Sequence, residues 1–140
     1  MTTTDTTFAE VAEGVRATIG AYTQALDDGR TDDVVATFTP DAVCVFDGMG
    51  TFEGHDALRA AYASWAPRGP QRHLVLNTVV TSWSRDEAEA TSDVVFIAKG
   101  GSGWAIQLVG RYRDTLRRDG GTDGAGAWRF HRRVAAFEPS

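Results

Sequence analysis

The sequence predicts an α+β fold, because helical and strand patterns are segregated along the chain. Three helical patterns, interleaved with two short strands, occupy the first half, and four strand patterns separated by turns occupy the second. Successive strands of this kind pair as antiparallel neighbours, so we expect a curved, mostly antiparallel sheet wrapped around the first helix. The 140 residues suffice for a single domain with one core, which we place at 8–138 after a disordered tail at 1–7.

The first helix is predicted from apolar residues that recur every three or four positions between Phe8 and Asp27. Gly29 stands where a glycine commonly ends a helix. Asp27 and Asp28 then lie at the helix C-terminus, where the helix dipole disfavours negative charge. Asp28 is typical of a solvated turn, whereas the position of Asp27 makes it a candidate functional residue.

Two short helices and two short strands follow. Thr31 is a candidate N-cap for the second helix, and Thr39 and Pro40 are predicted to end it. Strand patterns occupy 41–46 and 51–53, with a glycine-containing turn between them. The third helix begins after Gly54, and its apolar face consists of Leu58, Ala61, Tyr62 and Trp65.

The second half is rich in β-branched and aromatic residues, which favour strands. The predicted strands lie at 72–83, 91–98, 104–118 and 128–137. Four residues at 100–103 form a glycine-rich turn, and no helix follows it, so it is not a phosphate-binding loop. A loop of glycine and aspartate residues is predicted at 119–126.

The strand at 72–83 carries polar side chains among apolar neighbours. Residues separated by an even number share one face of a strand. One face therefore carries His73, Val75, Asn77 and Val79. An imidazole and a carboxamide in apolar surroundings are typical of a small-molecule pocket. The alternative, that both groups only satisfy local hydrogen bonds, stays open.

Alternation in the strand at 104–118 predicts a single inward face. That face carries Trp104, Ile106, Leu108, Gly110 and Tyr112. Tyr112 is therefore predicted to point toward the pocket or to close its edge. Gly110 would leave room for a ligand or for the close approach of another backbone segment.

The last strand presents its apolar residues on one face, and that face also carries a cation. Trp128, Phe130 and Val134 share parity with Arg132, so Arg132 is predicted to point inward. A buried arginine needs either a carboxylate partner or an anionic ligand, and both remain open. Arg133 is predicted to face outward.

Composition argues against several classes of protein. A net charge of −5 and a pI near 5.1 argue against a general nucleic-acid binder. No apolar run approaches the ~20 residues that span a membrane, and the N-terminus lacks the features of a secretory signal. The single cysteine, Cys44, fits a reducing cytoplasm. The three histidines lack metal-ligand spacing, so we expect neither a metal nor another cofactor.

Taken together, these patterns resemble the NTF2-like superfamily and, within it, the SnoaL-like proteins. The resemblance spans 8–137, and the segments that carry it are 21–29, 38–43, 52–58, 72–77, 110–114 and 128–134. It implies a cone-shaped α+β domain with one apolar pocket and a homodimer formed through the open sheet. This fold hosts many chemistries and some proteins that only bind ligands.

The closest catalytic pattern resembles that of the scytalone dehydratases. The resemblance places Asp27 and His73 at the catalytic positions, with His73 as general acid and base and Asp27 as the group that orients it. Two positions depart from that pattern. The strand at 92–99 contains no second histidine, and Leu26 stands where those enzymes have a tyrosine. The nearest phenol on the helix is Tyr22.

Other members of the superfamily suggest different catalytic residues. A resemblance to ketosteroid isomerase would use Asp47 as the base, and a resemblance to SnoaL-type cyclases would use Asp114. The candidate substrate-binding residues are Tyr22, Asn77, Tyr112, Arg132 and Trp65. We expect Arg132 to anchor a carboxylate or an enolate.

The predicted function is acid–base chemistry without a cofactor on a small, hydrophobic, oxygenated molecule. Dehydration, isomerisation and cyclisation all fit the resemblance, which implies a lyase or an isomerase. A non-catalytic ligand-binding or accessory subunit with the same fold is the alternative. The discriminating feature is whether His73 and Asp27 face each other inside the pocket.

Overall fold

The computed structural model describes residues 5–119 and 127–139, so most of the predicted tail at 1–7 and of the loop at 119–126 lies outside the described residues. The described residues form three helices and six strands. The helices are α1 (Phe8–Asp27), α2 (Thr31–Ala36) and α3 (Gly54–Ser64). The strands are β1 (Phe38–Phe46), β2 (Gly50–Glu53), β3 (Gln71–Trp83), β4 (Glu87–Gly100), β5 (Gly103–Arg118) and β6 (Trp128–Phe137).

The strands form one mixed sheet in the order β2-β1-β6-β5-β4-β3. Four of the pairings are antiparallel, and β1 with β6 is parallel. Helix α1 packs against β3 and β6, and α3 packs against β1. The predicted α+β class is confirmed. Among the described residues, none of the helices is both long and apolar enough to cross a membrane.

Helix α1 supplies one side of the core. Its N-cap is Thr7, whose side chain accepts a hydrogen bond from the backbone N–H of Glu10 at 3.2 Å. Its buried apolar face includes Val11, Val15, Ile19, Tyr22 and Leu26. Burial of each such side chain stabilises the fold by about 1.5–3 kcal/mol relative to exposure. Because these buried residues run from Val11 to Leu26, the helix packs against the sheet along most of its length.

Strand β1 begins earlier than the sequence predicts. Phe38 already pairs with Phe130, so the second helix ends at Ala36 and not at Pro40. The register then shifts before Val43, and Pro40 lies in the irregular stretch. Proline cannot donate a ladder hydrogen bond, and an irregular stretch of strand tolerates that loss.

A bulge in β6 reverses the predicted orientation of two arginines. Leu116 pairs with Phe130, whereas the preceding residue of β5 pairs with Arg132, so His131 is an extra residue in β6. Because side chains alternate along a strand, one extra residue exchanges the two faces beyond it. Arg133 is consequently buried at 0% exposure, and Arg132 is exposed. The prediction that Arg132 points inward is wrong.

A second bulge, in β3, turns Asn77 away from the predicted pocket. Leu76 pairs with Asp93, and Val79 pairs with Thr91, so β3 has one more residue here than β4. Asn77 has a φ of +55°, in the left-handed region that asparagine tolerates better than most residues. Its exposed side chain donates to the carboxylate of Asp93 at 2.8 Å. The predicted shared face of His73 and Asn77 is therefore wrong.

A third bulge, in β5, divides the face predicted for that strand. Phe96 pairs with Leu108 and the next residue of β4 pairs with Ile106, so Gln107 is the extra residue. Tyr112 is buried on the inner side. Trp104 and Ile106 are instead 49% and 67% exposed.

The outer face of β3, β4 and β5 exposes several large apolar side chains. Cross-strand pairing places Leu74, Val95 and Val109 in one row of this face. Leu74 and Val109 are about two-fifths exposed. A contiguous apolar face of this kind is common at protein–protein interfaces. Homodimerisation through the open sheet stays a prediction.

Replacement of Gly110 with alanine is expected to destabilise the fold. A Cβ at this position would lie 2.5 Å from the carbonyl oxygen of Ala136 and 2.7 Å from the ring of Phe137. Of the two reasons that the sequence suggests for this glycine, the structure shows close backbone approach. Overpacking of this kind costs about 1–3 kcal/mol, measurable by urea denaturation.

The matched control is Gly101→Ala, in the turn that joins β4 to β5. Within the described part of the chain, no heavy atom would lie within 4 Å of a Cβ at Gly101. We expect its free energy of unfolding to stay within about 0.5 kcal/mol of the wild type. Equal stability of the Gly110 and Gly101 variants would contradict the packing argument.

Candidate active site

A cavity of about 560 Å³ lies between α1, α3 and the inner side of the sheet. Its volume falls in the range of small-molecule sites. Aromatic residues dominate its wall and include Tyr22, Phe46, Tyr62, Trp65, Phe96 and Tyr112. His73 also lines the cavity, so the lining includes an ionisable side chain.

Asp27 and His73 form a hydrogen-bonded pair, although 46 positions separate them along the chain. The last residue of α1 places Asp27 against the start of β3. His73 Nδ1 lies 2.7 Å from Asp27 Oδ1, and the backbone N–H of His73 donates to Oδ2 at 2.8 Å. Gln71 Nε2 also donates to Oδ1, at 3.2 Å. These donors compensate the carboxylate for its unfavourable place at a helix C-terminus.

The carboxylate determines which nitrogen of His73 carries the proton. An ionised carboxylate only accepts hydrogen bonds, so Nδ1 of the neutral imidazole carries the proton and Nε2 keeps its lone pair. The Asp27 side chain is 5% exposed and that of His73 is 15% exposed. Asp27 does not line the cavity and His73 does. Asp27 is thus placed to orient the imidazole without touching a ligand.

Phe96 fixes the plane of the imidazole. The two rings stack with centroids 4.4 Å apart and planes 17° from parallel. Phe96 lies opposite His73 in the register of β3 and β4. The imidazole is therefore held by a carboxylate at one edge and by an aromatic ring on one face.

Three buried tyrosines supply hydroxyl groups to the cavity region. The hydroxyls of Tyr22 and Tyr62 lie 2.6 Å apart. Burial raises the pKa of Tyr22, and it raises the pKa of Tyr62 and Tyr112 well above the ordinary value. All three phenols therefore stay neutral near pH 7. The bond between Tyr22 and Tyr62 uses one of their two hydroxyl protons.

Trp65 closes one side of this aromatic wall. Its ring packs edge-to-face on Tyr62, with centroids 5.3 Å apart, and on Phe46 at 5.2 Å. The structure thus brings three of the predicted substrate-binding residues, Tyr22, Tyr112 and Trp65, to the cavity.

Behind the wall lies a fully buried ion pair. Arg133 donates through Nε and Nη2 to the two oxygens of Asp114, at 2.7 and 2.9 Å, and both side chains are 0% exposed. Burial alone would lower the pKa of Arg133, but Asp114 raises it well above its ordinary value. The guanidinium carbon lies 3.8 Å from the ring centroid of Tyr112 and 4.6 Å from that of Tyr22. Neither member of the pair lines the cavity.

Four sequence candidates lie away from the cavity lining. Asn77 and Arg132 are exposed because of the bulges in β3 and β6. Asp47 is exposed as well. Asp114 is buried, but its carboxylate is occupied by Arg133.

Sequence reasoning missed Gln71, Phe96, Arg133 and the hydroxyl of Tyr62. The pattern did place Tyr62 on the inner face of α3, which could have indicated a second phenol near Tyr22. Arg133 could not be found by alternation, because the bulge at His131 changes the parity. Within the described residues, no three His, Cys, Asp or Glu side chains cluster so that they could hold a metal ion.

Comparisons with known proteins give the same fold. Residues 8–134 match the SnoaL-like domain family. A search of curated proteins finds no match. An NTF2-like protein with a cystatin-like fold from Novosphingobium aromaticivorans superposes with a TM-score of 0.78 at 24% identity, covering 90% of this chain and 80% of that one.

Two further structures carry names that suggest chemistry. A candidate scytalone dehydratase from Novosphingobium aromaticivorans has a TM-score of 0.76 at 22% identity, with 91% of this chain and 84% of that one covered. ActVI-ORFA from Streptomyces coelicolor has a TM-score of 0.77 at 19% identity, with 91% and 97% covered. At these identities the similarity shows a shared fold and no more.

Proposed function

This chain belongs to the SnoaL-like domain family, and from that premise we propose that it is an enzyme that moves a proton on a small, hydrophobic, oxygenated molecule. The observation that carries the proposal is the Asp27–His73 pair at the wall of an apolar cavity. A buried carboxylate that orients an imidazole facing a cavity is the usual construction of a general base.

The chemistry begins at the free Nε2 of His73. This nitrogen removes a proton from a carbon next to a carbonyl group, and Asp27 stabilises the imidazolium that forms. The carbonyl oxygen gains negative charge in this step. In this proposal the hydroxyls of Tyr22 and Tyr62, two residues that line the cavity, donate to that oxygen.

The resulting enolate has three fates that need no cofactor. Loss of a β-hydroxyl group, protonated by His73 as it leaves, gives water and an unsaturated ketone. Return of the proton to another carbon gives isomerisation, and attack of the enolate on a second carbonyl gives cyclisation. The family name and the candidate scytalone dehydratase among the similar structures support this range of reactions.

Binding alone does not explain the polar groups of the site. An apolar ligand needs walls such as Phe96 and Trp65, but it gains little from a histidine whose tautomer is fixed. Burial of Asp27 also costs desolvation free energy, which three hydrogen bonds offset. These features support an enzyme over a non-catalytic binding subunit.

A hydrogen–deuterium exchange assay tests the proposal before the natural substrate is identified. The protein is incubated in D₂O with a panel of tetralones and β-hydroxytetralones, and proton NMR follows exchange next to the carbonyl and loss of water. We expect exchange or elimination well above the buffer rate for at least one compound. The variant His73→Gln should reduce the reaction by about 10²- to 10⁴-fold, the usual contribution of a general base.

The control variant is His131→Gln, because His131 lies in the bulge of β6 and does not line the cavity. It should retain the wild-type rate. Panel compounds that bind in the cavity but exchange no faster than in buffer would favour the binding subunit instead.

A further inference from the structure

The cavity has two cations at its solvent side and no carboxylate in its lining. Arg68 and Lys99 both line the cavity, and both are exposed. No Asp or Glu belongs to the described residues of the lining. The whole chain contains 19 acidic and 14 basic residues and has a net charge of −5. Two cations without a carboxylate in the cavity lining therefore contrast with the negative charge of the chain as a whole. We refer to Arg68 and Lys99 as the cationic rim.

The two members of the cationic rim belong to adjoining segments. Arg68 lies in the connection between α3 and β3, and Lys99 lies near the end of β4. The backbone N–H of Lys99 donates to the carbonyl of Pro70 at 3.0 Å, which joins the two segments. The fold therefore holds the two segments next to each other at the exposed part of the cavity lining.

Neither charged group is used elsewhere in the structure. Among the described residues, the side chains of Arg68 and Lys99 take part in no hydrogen bond or ion pair, whereas seven other arginines have carboxylate partners. Those seven are Arg30, Arg59, Arg85, Arg111, Arg117, Arg129 and Arg133. Arg68 and Lys99 both line the apolar cavity, so an anionic group of a bound ligand could pair with them.

The polarity of the lining changes from the entrance inward. Behind the cationic rim the wall is mostly apolar and includes Leu108 and Phe96, and its buried or half-buried polar groups include His73, Gln71 and the tyrosine hydroxyls. A ligand complementary to this order has an oxygenated ring body and an anionic group at one end.

We propose that the substrate is a carboxylate, with its apolar ring body in the cavity and its carboxylate group at Arg68 and Lys99. This inference rests on the proposed function for the reacting end of the molecule, which lies toward His73. Arg68 and Lys99 are then specificity-determining residues, because they distinguish an acid from its neutral analogue of equal size. Attraction by the exposed cations also accelerates entry of the acid at low ionic strength.

The test compares 2-naphthylacetate with the neutral 2-naphthylacetamide. Each probe is titrated into the intact protein, and binding is followed by isothermal calorimetry at low and high salt. We expect the acid to bind about 10-fold more tightly at low salt, from two partly exposed charge contacts, and the difference to shrink at high salt. The double variant Arg68→Gln, Lys99→Gln should bind both probes equally, with the affinity for the amide unchanged.

The control is a double variant with the same loss of charge elsewhere. Arg113→Gln with Arg132→Gln removes two exposed cations that do not line the cavity. It should keep the preference for the acid. The proposal is overturned if the wild type shows no preference, whether both probes bind equally or neither binds, or if the control variant loses the preference as fully as the rim variant.

The variant His73→Gln separates this inference from the proposed function. It should lose proton exchange on the tetralone panel and keep its preference for naphthylacetate. A protein that prefers the acid but exchanges no proton on the panel keeps the substrate class and loses the catalytic role. If the wild type exchanges protons but shows no preference for the acid, the catalytic role stands and the substrate class is overturned.

Discussion

Replacement of Asp27 with asparagine is expected to lower the rate of proton transfer by about 10²- to 10⁴-fold. Asp27 accepts hydrogen bonds from the backbone N–H of His73, from its Nδ1 and from Gln71. Asparagine has one acceptor oxygen and an NH₂ group that donates. An NH₂ group facing Nδ1 favours the tautomer with the proton on Nε2, and that tautomer has no lone pair on the nitrogen available to the substrate.

A series of variants shows whether Asp27 acts through His73. The substitution His73→Gln should cost about as much as Asp27→Asn, and the double variant should cost little more than either, because the two residues act as one unit. The quantity to measure is kcat/KM with a panel compound that reacts. Binding of 2-naphthylacetate by each variant serves to show that the cavity is intact.

The control for Asp27 is its neighbour in the chain. The Asp28 side chain is 59% exposed and lies 3.4 Å from Arg30, and Asp28 does not belong to the cavity lining. The substitution Asp28→Asn should leave kcat/KM unchanged. Full turnover by the Asp27 or the His73 variant would remove the pair from the mechanism.

The second large effect concerns stability. Replacement of Asp114 with asparagine is expected to lower the free energy of unfolding by about 3–5 kcal/mol, because it leaves the buried charge of Arg133 without a counter-charge. The guanidinium has no access to water, and its Nη1 has no hydrogen-bond partner among the residues that the structure describes. The aromatic rings around it compensate only part of the lost interaction.

Asp93 provides the matched control for this measurement. It also receives two hydrogen bonds from an arginine, Arg111, but the two side chains are 30% and 54% exposed. An exposed pair contributes about 1 kcal/mol or less, so Asp93→Asn should change the stability little in urea denaturation. The double replacement Asp114→Leu with Arg133→Met should recover much of the loss, because it removes the charge together with its partner. Equal losses for the Asp114 and Asp93 variants would contradict the importance of burial.

The sequence predicted those features that depend on local periodicity. Apolar spacing located α1, and β-branched runs located the four long strands within a few residues. The proximity of Asp27 to His73 came from the family resemblance, since the two positions belong to different elements. The inward orientation of Tyr112 was predicted correctly because the alternation from Leu108 through Gly110 to Tyr112 contains no extra residue.

Single-residue bulges account for the main errors of orientation. Alternation assigns a face only while every residue of a strand has one partner, and the extra residues at His131 and Gln107 break that condition. The bulge at Asn77 has the same effect in β3. Bulges arise from pairing between strands, so a pattern read along one strand does not contain them. Arg133 was therefore predicted on the wrong side of the sheet.

Asp27 has two roles in the structure. Strand β3 lies at the edge of the sheet, and the N–H of His73 donates to the Asp27 carboxylate. The side chain that orients the imidazole therefore also protects one hydrogen-bond donor of an open edge. Under the proposed function, selection on folding and selection on chemistry would both favour this aspartate. In homologues that have lost catalysis, we expect Asp27 to be conserved more often than His73. The presence of the histidine is then the better indicator of activity.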